Sequence, residues 1–129
     1  MSTAATPDAS IFLSIKDPNL QNGVYMAIRS IGIRNVYRCN NHREIFQLFN
    51  NNKSSLIIVD FTFHSSYIDE SVETIFASFP DTPIIALISV KDIIIARQRL
   101  NKKVLILEKP FQTSQLVELI LSLFQKKVA

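Results

Sequence analysis

Two side chains of opposite charge stand at the ends of apolar runs. Asp60 follows Leu56-Ile57-Ile58-Val59 without a break, and Lys109 follows Val104-Leu105-Ile106-Leu107 after one residue, Glu108. A carboxylate is poor in a strand interior and costly to bury unpaired, so Asp60 belongs at the exit of its run, facing a crevice. Lys109 precedes Pro110, and the residue before a proline favours extended backbone, which prolongs the run towards the same crevice. The ammonium could pair with Asp60 or hold an oxyanion attached to it. Ser89 closes a third run and could offer a hydroxyl to that oxyanion; Lys16 and Asp17 follow a fourth, where Asp17 could hold a cation beside Asp60. Each also has a plainer reading: Asp60 or Asp17 as a turn or cap residue, Lys109 as a surface lysine, Ser89 as a hydroxyl satisfying a turn.

These residues need elements to position them. Short apolar runs occupy 11–15 (IFLSI), 36–39 (VYRC), 56–59 (LIIV), 84–88 (IIALI) and 104–107 (VLIL). All but the second are nearly unbroken, the pattern of strands covered on both faces in a parallel sheet; the shorter, more polar 36–39 reads as an edge strand. Helical periods fill the intervals at 20–31 with Gly32 as the stop, 42–49, 70–79, 92–100 capped by Asp92, and 113–127, where Lys126 and Lys127 suit the helix C-terminus. Strict β-then-α alternation predicts an α/β domain, (βα)5, with a doubly wound five-stranded parallel sheet. Residues 1–9 (MSTAATPDA) read as a loose tail and 10–129 as one domain. In such folds ligands bind beyond the carboxyl ends of the strands, where every residue singled out above falls.

Composition narrows the function. The chain has 129 residues, 47% hydrophobic and 19% charged, enough for one core and unlike a disordered chain. Its 14 Lys+Arg against 11 Asp+Glu leave a net +3, too weak for a nucleic-acid footprint, and its arginines read as a solvated surface. With only Gly23 and Gly32 there is no glycine-rich phosphate loop. No apolar run is long enough to cross a bilayer, and Met1 to Ser10 carry neither basic residue nor apolar core, so the expectation is a cytoplasmic chain without a signal peptide. His42 and His64 are too few and too far apart for a metal site, and the single Cys39 reads as a small packed residue rather than a reactive thiol.

Taken in order, LIIVD (56–60), PDTPIIALIS (80–89) and LILEKPF (105–111) resemble the receiver domain of two-component response regulators, over about residues 11–127. The resemblance implies a flavodoxin-like sheet with strand order 2-1-3-4-5. It makes Asp60 the phosphoacceptor and Lys109 the lysine that contacts the phosphoryl group. Ser89, or Ile88 in a register one residue shorter, takes the switch hydroxyl position. It implies a histidine kinase or phosphotransfer protein as phosphodonor, and no enzymatic activity beyond self-catalysed phosphotransfer. Output would pass to a protein partner or a second copy through the fourth helix, fifth strand and fifth helix. Ile93-Ile94-Ile95, Leu119 and Leu121 give those helices more apolar surface than one buried face takes up. Direct nucleic-acid or membrane binding is not expected.

The departures from the family pattern carry equal weight. Where receivers place two acids for Mg²⁺ after the first strand, this chain has Ile15 and Lys16, with Asp17 one place late. Asp17 and Asp60 are then the remaining metal candidates, and Mg²⁺ binding is expected to be weak or absent, since Lys16 supplies its own positive charge. The usual aromatic of the fifth strand is Ile106, and Phe61-Thr62-Phe63-His64-Ser65-Ser66 replaces the family's Met-Pro and glycine. Two readings follow: a receiver phosphorylated on Asp60, or a pseudo-receiver that uses the same fold as a phosphorylation-independent interaction module.

Overall fold

The computed structural model describes residues 9–39, 43–48, 55–60, 77–100 and 103–128. The apolar runs become β1 (Ser10–Ser14), β2 (Asn35–Cys39), β3 (Ser55–Asp60), β4 (Ile84–Ser89) and β5 (Val104–Lys109). Between and after them lie α1 (Pro18–Ser30), α2 (Arg43–Leu48), α3 (Ile93–Arg99) and α4 (Thr113–Val128). Of the helix expected over 70–79, residues 70–76 fall outside the described residues and 77–78 are helical; Asn40, Asn41, His42 and 61–66 also lie outside them. All strand pairs are parallel and the order is β2-β1-β3-β4-β5. Both the doubly wound class and the strand order therefore stand as the sequence led one to expect.

Side chains alternate across the sheet and feed two cores. On one face Ile11, Leu13, Leu56, Ile58, Ile85 and Leu87 meet Val24 and Ile28 of α1 and Leu116, Ile120 and Phe124 of α4. On the other, Phe12, Ile57, Val59, Ala86 and Ile88 meet Ile45 of α2 and Ile93 and Ala96 of α3. This double cover is why the runs are unbroken: a strand with helices on both sides has no solvent face on which to place polar residues. Each fully buried Ile or Leu contributes about 1.5–3 kcal/mol. β2 and β5 are the sheet edges, and both carry partly exposed residues.

Boundaries differ from expectation in ways with local causes. β1 begins and ends one residue early, at Ser10 and Ser14, and packing reaches back to Ala9, which is fully buried. α1 begins at Pro18 rather than at residue 20. Asp17 Oδ1 accepts from the Asn19 N–H at 3.0 Å, capping the first turn, and Pro18 supplies a preset φ where an N–H would go unused. Its end is as expected: Gly32, at φ 93°, turns the chain out while its N–H donates to Arg29 O. Asp92 is a correction. A 3-10 turn, Val90–Asp92, precedes α3, so Asp92 sits at φ −104°, ψ 0°, outside the extended geometry a capping side chain needs, and it makes no capping hydrogen bond. No helix among the described residues is long and apolar enough to cross a membrane.

Candidate functional site at the carboxyl rim

Strand register builds the site. Asp60, the last residue of β3, lies opposite Leu87 of β4, and Ser89, the last of β4, lies opposite Lys109, the last of β5. β4 separates β3 from β5, so the backbones bearing Asp60 and Lys109 run roughly 9–10 Å apart. The lysine stem spans that gap: Lys109 Nζ donates to Asp60 Oδ1 at 2.5 Å. The side chains are 22% and 10% exposed respectively, so the pair is shielded from bulk water yet reachable from the rim. Local sequence explains the placement. Lys109 prolongs β5 by two residues beyond 107, as the following proline favours, and the Lys109–Pro110 peptide bond is cis.

Alternation puts Ser89 and Ile88 on opposite faces of the sheet. Asp60 is in step with Ile58, Ser89 with Leu87 and Lys109 with Leu107, all on the α1/α4 side of the sheet. Ile88 is fully buried in the opposite core. Ser89 is half-buried beside the ion pair and is not hydrogen-bonded to either partner. Ile106 packs half-buried against the α2/α3 core.

The β1 end is arranged differently. Ser14 lies opposite Val59, which puts Ile15 level with Asp60 and carries Lys16 one residue past it. Ile15 is buried, Lys16 is exposed, and Gln21 Nε2 donates to Ile15 O at 3.1 Å, pinning the strand's exit to α1. Asp17 is exposed and its Oδ1 serves the helix cap. No group of three or more His, Cys, Asp and Glu gathers among the described residues. A Mg²⁺ site wants near-octahedral oxygen ligation through one or two carboxylates. Here Asp60 already binds an ammonium, Asp17 caps a helix and Lys16 adds positive charge, so the residues fit a divalent cation poorly.

Cys39 ends β2 next to this region, opposite Ser14. Its thiol is buried, with Sγ 4.0 Å from Tyr37 O. Burial, with the Glu44 carboxylate adding to it, pushes the thiol from its usual 9.0 up to about 11. It is a packed, protonated side chain at neutral pH, not a nucleophile.

On the outside, Val90 and Ile94 are 65% and 74% exposed while Ile93 is buried. Of the three successive isoleucines, α3 thus leaves Ile94 to solvent. Leu119 and Leu121 of α4 are half-buried.

No family model and no curated protein matches the sequence. Solved structures match in fold. A response regulator receiver domain protein from Clostridium thermocellum superposes with a TM-score of 0.74 at 18% identity, covering 93% of this chain and 97% of that one. A two-component transcriptional regulator AraC from Clostridium phytofermentans gives 0.73 at 13% identity, covering 94% and 96%. A protein described as an adenylate cyclase, from Rhodopirellula baltica, gives 0.70 at 19% identity, covering 92% and 90%. At such identities the likeness is one of fold: the chain has the architecture of response regulator receiver domains.

Proposed function

We propose that this chain is a signal-relay domain of the two-component type, in which Asp60 accepts a phosphoryl group and the output is protein binding. The observation that carries the reading is the shielded Lys109–Asp60 ion pair at the carboxyl rim of a receiver fold. A carboxylate is a competent nucleophile towards an activated phosphoryl group. With a phosphohistidine on a kinase or phosphotransfer protein as donor, an Asp60 oxygen attacks phosphorus. The new P–O bond forms as the P–N bond breaks, and the electron pair, then a proton, goes to the imidazole. Lys109 follows the charge from the carboxylate to the transferred oxygens, and Ser89 stands where a hydroxyl can bond one of them. The modification biases the neighbouring surface around Val90, Ile94, β5 and α4, which meets a protein partner or a second copy. Binding of Mg²⁺ is weak or absent in this reading, and the chain has no catalytic turnover of its own.

A second reading is favoured by the β1 end. An exposed Lys16, a capping Asp17 and the aliphatic Ile106 suit a constitutive interaction module that needs no phosphorylation. One experiment separates the two. The chain and its Asp60→Asn variant are incubated with a small acyl phosphate donor, with and without millimolar Mg²⁺, and weighed by mass spectrometry. The gain of one phosphoryl group by the wild type alone is expected. No gain in either protein, with fluoroberyllate also leaving the spectrum unchanged, overturns the phosphoacceptor reading in favour of the constitutive module.

A further inference from the structure

The arginines at the α1/β2 edge are organised rather than scattered. From Pro18 to Arg43 the sequence holds four arginines and no Asp or Glu. Since the whole chain carries +3, the remainder is net negative by one charge, so the positive charge is concentrated in this stretch. Arg29, Arg34 and Arg38 are exposed, and among the described residues no carboxylate pairs with any of them. Arg29 and Arg38 are nevertheless held. Tyr25 lies under both neighbours, with Arg38 Cζ 4.6 Å and Arg29 Cζ 5.9 Å from its ring centroid. Arg38 Nε donates to Gln21 Oε1 at 3.0 Å, and Gln21 is tied to Ile15 O. Arg29 Nη1 donates to Arg34 O at 3.1 Å. Each contact uses one N–H or the flat face of a guanidinium and leaves other donors of the planar fork for a ligand.

We infer that the α1/β2 edge is a docking surface for an acidic segment of a partner protein. Guanidiniums already fixed by Tyr25 and Gln21 lose less side-chain freedom when they clasp carboxylates, and the two-pronged Arg–carboxylate geometry favours that ligand. A nucleic acid fits less well. Three guanidiniums neutralise about three phosphates, and the Tyr25 face that a base would stack on is covered by Arg38. Arginine on an edge strand also discourages sheet-to-sheet aggregation, which accounts for a charge at Arg38 on β2. It does not account for the missing acids on α1 or for the Tyr25 clasp. The surface does not depend on Asp60 being phosphorylated.

The test uses the full chain with a hexaglutamate peptide as the acidic probe and an oligothymidylate as the competing class. The peptide is expected to shift backbone amides between Gln21 and Arg38 in nitrogen–proton correlation spectra, with an affinity that falls as salt rises. Arg29→Glu with Arg38→Glu should lower that affinity at least tenfold, while solubility holds because a charge still guards the edge. Arg29→Gln with Arg38→Gln should give a smaller loss in the same direction, and Asp60→Asn should bind the peptide like the wild type. Shifts centred elsewhere, equal affinity in folded charge-reversed protein, or tighter binding of the oligothymidylate each overturn the inference.

Discussion

The carboxyl rim has two halves that share a sheet and differ in what their strand exits do. At the β3 and β5 exits an acid and an amine 49 residues apart reach across β4 and meet. At the β1 exit, one strand away from β3, the acid is turned to a helix cap and an exposed lysine stands in the open. The backbone frame is the same in both halves, so side-chain type and local capping chemistry make the difference. Asp17 precedes Pro18 and has an N–H two residues on to accept. Asp60 ends a buried strand, and among the described residues only Lys109 answers its charge. The same scaffold thus pairs an acid with an amine in one half of the rim, while in the other half the acid is taken up by the start of helix α1.

The largest effect that would break this contrast comes from Lys109→Met. It strands the carboxylate of Asp60, 10% exposed, without its counter-ion. It should lower stability by roughly 1–3 kcal/mol in denaturant unfolding and reduce acyl-phosphate labelling of Asp60 at least tenfold. Adding Asp60→Asn should recover most of the lost stability. If the double variant is no more stable than Lys109→Met alone, the pair is not coupled as its geometry indicates.

The second test sharpens the contrast from the other side. Lys16→Asp restores an acid to the β1 exit and should raise Mg²⁺ affinity at least tenfold by titration calorimetry. Unchanged affinity would mean that Lys16 is not what keeps a cation from this half of the rim.

The smallest effect concerns Cys39, the thiol on the strand beside β1. Its folded value is raised from 9.0 to about 11, so between those values the folded chain holds a proton that the unfolded chain has released. Stability from this group is therefore fully present below 9.0 and falls as pH rises towards about 11. The difference between wild type and Cys39→Ala in unfolding free energy should shrink across that window, and alkylation of the native thiol should be slow at neutral pH. A flat difference, or fast alkylation of folded protein, would make the β1 side chemically more active than described.

How legible all this was follows from range. The unbroken runs at 56–59 and 84–88 announce strands covered twice, because no polar alternation survives such burial. Asp60 was visible because an acid directly after such a run has nowhere to go but the rim. The proline after Lys109 marked its extended backbone. Asp17 was ambiguous because a capping acid and a metal ligand look alike until the helix start is known. Asp92 misled for a related reason: a 3-10 turn before α3 changed the backbone geometry on which capping depends. The Tyr25–Arg38–Gln21 cluster joins α1 to β2 across 17 residues, and reading the arginines singly hid it.

The primary structure alone determined that this chain would form a β-then-α alternation with its polar chemistry gathered at strand exits. Apolar period and chain punctuation are local properties, read within a few residues of each other. Only the tertiary structure decided that Lys109 crosses β4 to Asp60, that Ser89 rather than Ile88 shares their face, and that Arg29 and Arg38 close on one tyrosine. Those choices rest on strand order and register, which depend on how two cores fill at once, and no single segment carries that information.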